Sequence, residues 1–157
     1  MGASVEIIGA TELAAKFNAC VAACEAQKNG WIMEAGGIVQ TSIEERIQAD
    51  GLVKTGALLA SGRTFEAGEG AACVGFGAGL DYAPALELGA MPHSIDAKNA
   101  PTLAFYWERA GRMFYGPHIN HPGNRPYAFM RNGTELSLVP LAFMFMGKLR
   151  AIFGSPL

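Results

Sequence analysis

Residues 118–129, with the sequence HINHPGNRPYAF, hold the densest set of side chains that could do chemistry in this chain of 157 residues. His118 and His121 lie three residues apart in a segment that also contains two prolines. Histidine pairs are typical of zinc hydrolases when they lie four residues apart on a helix with a glutamate between them. Neither condition is met here, and a catalytic zinc usually has three protein ligands. The pattern therefore favours histidines that are hydrogen-bonded for structural reasons.

The same segment has the composition of a rigid corner. Pro122 fixes its φ angle, Gly123 permits a left-handed turn, and Pro126 suits the first turn of a helix. We therefore predict a structural corner that leads into a helix beginning at Pro126. The alternative, from a different class of function, is a small metal-dependent hydrolase that would use His93, His118, His121 and Glu87.

The other chemical signals are weaker. The glycine-rich run 75–79 is followed by a turn sequence, whereas a phosphate-binding loop leads directly into a helix N-terminus. Cys20, Cys24 and Cys73 are an odd number of cysteines in a chain that is not cysteine-dense, which argues against a disulfide framework. No nucleophile is accompanied by a recognisable base. We therefore predict no enzymatic activity, no metal ion and no cofactor.

Composition narrows the classes of function. Half of the residues are apolar, 17% are charged, and the net charge is −2, so the basic footprint of a nucleic-acid-binding protein is missing. The N-terminus lacks the features of a signal peptide. The apolar stretch 136–146 is shorter than the roughly 20 residues that cross a bilayer. We therefore expect a soluble protein made in a reducing compartment, with surplus apolar residues placed in subunit interfaces.

Hydrophobic periodicity and turn signals predict a single domain, 1–157, of the α+β class. A short strand at 4–8 precedes a long amphipathic helix at about 11–49, capped by Thr11 and ended by Asp50-Gly51. Residues 52–122 are predicted to form one mostly antiparallel sheet that contains two hairpins, 63–67 with 71–77 and 102–108 with 111–117. A C-terminal helical region at about 126–153 contains Pro140, which is expected to kink or split it.

The last part of the chain is apolar nearly all round. This pattern predicts burial of residues 141–153 on several sides, which is more than one face of a short helix can bury in a domain of this size. We therefore expect the segment to dock on an adjacent subunit. The predicted interface residues are Leu141, Phe143, Met144, Phe145, Leu149, Ile152 and Phe153.

Three stretches, in this order, resemble one protein family: KTGALLASGRT at 54–64, LDYAPALELGAMPHSIDAK at 80–98, and the segment 100–130, which ends in HPGNRPYAFM. The resemblance is to the tail-component family of long-tailed bacteriophages, the neck and tail-completion proteins of the lambda minor tail protein Z type. It implies a small α+β subunit without enzymatic activity that forms a ring at the head–tail junction. The matching positions are Thr55, Gly56, Leu58, Ser61, Tyr82, Ala83, Glu87, Gly89, His93, Ile95, His121, Pro122, Gly123, Pro126 and Phe129.

The resemblance also implies partners and a location. The chain would associate with itself in a ring of six or twelve copies, next to head-closure or connector proteins and tail-tube or tail-terminator proteins. DNA would pass through the ring without being read, and no membrane would be involved. The protein would be made in the bacterial cytoplasm and end in the virion. A tail terminator, a stopper and a minor capsid protein of related fold are alternatives. Ala90 departs from the family pattern, which commonly has threonine there.

Overall fold

The computed structural model describes residues 9–98, 100–107 and 110–154. Four helices and six strands follow one another in the order α1 (Ala10–Ala49), α2 (Ala57–Ala60), β1 (Arg63–Glu66), β2 (Ala72–Gly75), α3 (Ala83–Leu88), β3 (His93–Asp96), β4 (Leu103–Trp107), β5 (Arg112–Gly116), β6 (His118–His121) and α4 (Phe129–Phe153). The predicted α+β class, with a long helix at each end of small antiparallel sheets, is confirmed. The strand predicted at 4–8 lies outside the described residues.

The sheet differs from the prediction. Both predicted hairpins form, as the antiparallel pairs β1–β2 and β4–β5, and β3 pairs with β6. These are three separate two-stranded sheets rather than one continuous sheet. Part of the predicted sheet region is helical instead, because residues 83–88 (APALEL) form α3 with a proline in the first turn, where a missing N–H costs nothing.

The chain divides into two compact units. Unit 1 comprises residues 1–78 and 130–157 and contains α1, α2, the β1–β2 hairpin and nearly all of α4. Unit 2 comprises residues 79–129 and contains α3 and the strands β3 to β6. That the whole chain behaves as a single domain stays a prediction.

Helix α1 runs without interruption for 40 residues, which confirms the helix predicted at 11–49. Gly9, with φ 89°, precedes its first residue, so the predicted cap Thr11 lies inside the first turn. At the other end Asp50 and Gly51 stop the helix as predicted: Gly51 has φ 67°, and the N–H of Leu52 donates to the carbonyl of Ile47. This left-handed ending is the usual device for satisfying the last carbonyls of a helix.

The β1–β2 hairpin lies along α1. Thr64 Oγ1 donates a hydrogen bond to Gln40 Oε1 at 2.8 Å, and Gly36 leaves room for the methyl group of Thr64. Nearer the hairpin turn, Lys28 forms exposed ion pairs with Glu25 and Glu69. These carboxylates raise the pKa of Lys28, and Lys28 lowers the pKa of Glu69. The hairpin is therefore held at two points of the helix, one packed and one ionic.

Helix α4 runs antiparallel to α1 within unit 1. Gly133 lies against Ile43 at one end, Lys148 pairs with Glu34 in the middle, and Phe153 meets Phe17 at the other end with ring centroids 6.2 Å apart. The sulfur of Cys20 also lies 3.6 Å from the carbonyl oxygen of Ile152. The two long helices therefore meet at separate points between the start and the end of α4.

The C-terminal helix begins at Phe129 rather than at the predicted Pro126, because Ala128 has a positive φ of 51° that no helix residue adopts. Pro140 lies inside α4 and does not split it. Within the single chain, residues 141–153 are not buried on several sides: Phe143 is 70% exposed, and the apolar part of α4 is almost entirely at the surface. Docking of this segment on another subunit stays a prediction.

The apolar C-terminal helix is longer than the stretch 136–146, so its length does not exclude a membrane span. The apolar stretch continues as a single helix of 25 residues, and α4 is long and apolar enough to cross a bilayer by length and composition alone. This is weak evidence, because a helix that packs in a soluble assembly meets the same two criteria.

Two neighbouring glycines of α1 test the packing of the hairpin. A Cβ atom at Gly36 would lie 2.5 Å from Thr64 Cγ2, whereas one at Gly37 would meet no atom within 4 Å. Alanine favours a helix over glycine by about 1 kcal/mol, so we expect Gly37→Ala to raise the free energy of unfolding. The free energy of unfolding of Gly36→Ala should be lower than that of Gly37→Ala by about 1–3 kcal/mol, because the hairpin must move to admit the added methyl group. Urea unfolding measures both, and equal values would contradict this packing.

Candidate functional site

The residues that resemble the family's HPG segment form a corner that is hydrogen-bonded to the end of α3. Gly123 has a φ of 76°, the left-handed conformation predicted for it. The backbones of Ala90 and Asn124 exchange two hydrogen bonds of 2.9 and 3.0 Å. The side-chain amide of Asn124 donates to the carbonyl of Ala85 at 2.8 Å. The corner is therefore held by a pair of backbone hydrogen bonds and by the side chain of Asn124.

The corner also satisfies the last carbonyls of α3, which have no partner inside so short a helix. The N–H of Tyr127 donates to the carbonyl of Leu86 at 2.9 Å, and the N–H of Ala128 donates to the carbonyl of Glu87 at 3.2 Å. Gly89 allows this approach: a Cβ atom there would lie 2.9 Å from the carbonyl oxygen of Asn124. Two glycines that are 34 positions apart in the sequence thus meet at one close backbone contact.

The pairing of β3 with β6 places two of the three histidines together, which the sequence analysis missed. His93 and His121 are directly opposite each other, and their ring centroids are 5.1 Å apart. His121 Nδ1 accepts a hydrogen bond of 3.1 Å from the N–H of Gly123, so its other ring nitrogen, Nε2, carries the proton. His93 Nδ1 lies 2.9 Å from the carbonyl of Met91 and must be the donor of that bond. Each of the two strands has one isoleucine, Ile95 in β3 and Ile119 in β6, and these are opposite each other. This apolar pair was the available signal for the pairing of the strands.

The four residues proposed for a metal-dependent hydrolase do not form one cluster among the described residues. His118 lies opposite Asp96, at the other end of the strand pair from His93 and His121. Over residues 9–98, 100–107 and 110–154, no group of three or more His, Cys, Asp or Glu side chains could hold a metal ion. Glu87, the acid proposed for that alternative, lies in α3 and is half-buried. His93 and His121 are therefore adjacent, but within the described residues no third candidate ligand joins them.

An apolar pocket lies beside the corner in unit 2, and the sequence analysis did not predict it. Its volume is about 310 Å³, and its lining is apolar apart from His121. The lining residues are Ile95, Leu103, Phe105, Trp107, Ile119, His121 and Pro122. Because no charged side chain lines it, the pocket suits an apolar side chain better than a polar substrate.

The remaining residues of the resemblance have structural contacts. Thr55 Oγ1 accepts from the N–H of Ala57, Gly56 has φ 78° and precedes α2, and Leu58 is buried. Ser61 Oγ donates to the carbonyl of Leu58 at 2.6 Å and accepts from the N–H of Gly77 at 2.7 Å. These residues therefore join α2 to the end of the first hairpin.

The other predicted positions differ in burial. Ala83 and Phe129 are buried, Tyr82 is 45% exposed at the start of α3, and Pro126 is exposed. Of the predicted interface residues, Phe143, Leu149 and Phe153 are exposed, and Leu141, Met144, Phe145 and Ile152 are half-buried.

No family model, curated protein or solved structure matches this chain.

Substitutions at two glycines of unit 2 distinguish the cost of a positive φ from the cost of a steric clash in the corner. Gly123 and Gly79 both have positive φ, 76° and 75°, but a Cβ at Gly79 meets no atom within 4 Å, whereas one at Gly123 would collide with the carbonyl oxygen of Ala90. We expect Gly79→Ala to lower the free energy of unfolding by about 1 kcal/mol. Gly123→Ala should lower the free energy of unfolding clearly more than Gly79→Ala does in the same urea titration, and Gly123→Val should lower it further. A Gly123→Ala protein as stable as Gly79→Ala would contradict the rigid corner.

Substitution of single histidines tests whether they are structural. His121→Ala leaves the N–H of Gly123 without its acceptor, so we expect a loss of about 0.5–1.5 kcal/mol in the free energy of unfolding. His118 is exposed, and His118→Ala should change stability by less than about 0.5 kcal/mol. If both variants instead keep wild-type stability and abolish function together, while Gly123→Val assembles normally, the catalytic interpretation replaces the structural one.

Proposed function

We propose that this protein is a structural virion protein of a tailed phage or phage-like particle, a neck or tail-completion subunit that forms a ring at the head–tail junction. The observation that carries the proposal is the distribution of apolar side chains. Among the described residues, 21 large hydrophobic side chains are exposed, whereas eight hydrophobic residues are buried. Single exposed apolar side chains are ordinary, but contiguous ones mark interaction surfaces.

The exposed apolar residues follow the two long helices. Leu13, Phe17 and Val21 form a row at four-residue spacing on the first turns of α1, with more than half of each surface exposed. A second row lies on α4 and includes Phe143. Full burial of one such side chain stabilises an assembly by about 1.5–3 kcal/mol. These rows therefore favour a subunit that completes its core by packing against other copies or neighbouring proteins.

The contacts within the corner also support the proposal. The residues of two separate stretches of the resemblance, 80–98 and 121–126, meet in unit 2 through paired backbones and adjacent histidine rings. Scattered residues that happened to fit a motif would have no reason to contact one another. Their contacts are structural rather than catalytic, in keeping with a subunit that assembles and carries out no reaction.

The proposal predicts six copies of the chain in a closed ring, or twelve, at the junction of head and tail. Native mass spectrometry of the purified protein and symmetry-resolved imaging of particles measure this number. Particles made without the protein should accumulate as separate heads and tails, and supplying the protein should join them. Normal joining in its absence, or a ring of another number, would overturn the proposal. A stoichiometric bound metal with hydrolytic activity would favour the hydrolase instead.

A further inference from the structure

Helix α4 has one face that contacts α1 and an opposite face that is largely exposed, of which only Phe153, at its end, contacts α1 through Phe17. The inner face recurs at 133, 137, 141, 144, 148 and 152, all buried or half-buried, and it contacts α1 through Gly133, Lys148 and Ile152. The opposite face exposes a line of large side chains, here called the outer stripe. The outer stripe consists of Leu136 (60% exposed), Val139 (63%), Phe143 (70%), Met146 (45%) and Phe153 (49%).

The spacing of the outer stripe identifies the kind of surface that would cover it. Its members follow one another at intervals of three, four, three and seven residues, and Arg150 divides the last interval into four and three. This is the heptad pattern by which one helix packs along another at a narrow angle. A flat sheet or an irregular loop has no matching periodicity. The complementary surface is therefore a helix with a similar apolar line.

The size of the stripe is enough for association between copies of the chain. Its five side chains are each 45–70% exposed along one line, and a standard stable interface takes about 800 Å² from each partner. Leu149, also exposed, flanks the stripe and adds to this area. Two outer stripes packed together would thus form most of a stable interface.

Two charged residues determine the direction of the pair. Glu135 flanks the stripe near the start of α4, and Arg150 lies within the stripe near the end. In a parallel pair Arg150, which lies within the stripe, would face Arg150 of the other copy, so like charges would be buried against each other. In an antiparallel pair with matched centres, Leu136 faces Met146 and Val139 faces Phe143. Glu135 of each copy then comes within one helical turn of Arg150 of the other.

We infer that α4 binds α4 of a second copy of this chain, antiparallel, with a two-fold axis near residue 141. The inference does not require the proposed function. A two-fold contact alone gives pairs, and together with a repeated head-to-tail contact it gives twelve copies in two rings, one of the two numbers proposed above. A bilayer is the other surface that could cover α4, and it would cover the stripe without bringing Glu135 and Arg150 together.

Neighbouring residues with nearly equal exposure provide the test. Val139 lies in the outer stripe, and Leu138, 61% exposed, does not. Sedimentation equilibrium of the purified full chain should show pairs or an even multiple of the monomer. Val139→Glu should raise the dissociation constant about tenfold or more, and Leu138→Glu should change it by less than about threefold. Circular dichroism checks that both variants keep their helices.

Charge reversal tests the direction. Glu135→Arg and Arg150→Glu should each weaken association, and the double variant should restore it within about threefold, because only the antiparallel pair brings these residues together. Equal effects of Val139→Glu and Leu138→Glu, no rescue by the double variant, or a wild-type monomer at about 100 μM would each overturn the inference. Flotation with phosphatidylcholine vesicles in place of self-association would overturn it in favour of a membrane.

The outcomes separate this inference from the proposed function. If the protein forms a six-membered ring that Val139→Glu does not affect, the inferred α4 pair is wrong and the proposed neck function still holds. If the α4 pair forms but heads and tails join without the protein, the proposed neck function is wrong and the inferred pair still holds.

Discussion

Unit 1 depends on the close approach of other elements to the second half of α1. Gly36 admits the methyl group of Thr64, and Gly133 of α4 lies so near the backbone of Ile43 that an added Cβ would be 2.6 Å from its Cα. Ile43 and Ile47 are almost completely buried there. A long helix alone is marginal in water, and its stability comes mainly from packing on one face. The hairpin and α4 both supply that packing within the same few turns.

Unit 2 is organised by a backbone contact instead of a large core. Gly89 and Gly123, which both have positive φ, let the backbones of Ala90 and Asn124 exchange hydrogen bonds. The carbonyls at the end of α3 are satisfied by the residues that follow Asn124. Only two hydrophobic residues of the six-residue helix and the strand pair β3–β6, Ala83 and Ile119, are buried. The position of α3 is therefore specified by hydrogen bonds to the corner.

The proposed function follows from what these contacts leave uncovered. The inner face of α4 is used by α1, while its outer stripe and the row at the start of α1 remain at the surface. Because these surfaces are helical and apolar, they suit association between subunits. His93 and His121, by contrast, form hydrogen bonds to the backbone of Met91 and Gly123 beside the corner.

The sequence by itself determined the elements whose signals are local. The period of apolar residues predicted α1, glycine-containing turns predicted two hairpins, and Gly123 was correctly assigned a left-handed turn. Only the tertiary structure decided what depends on distant partners: the pairing of His93 with His121, the three separate sheets, and the start of α4 at Phe129. It also decided that the apolar C-terminal helix lies at the surface. Composition states how much apolar area must be buried, but not whether this chain or another copy will bury it.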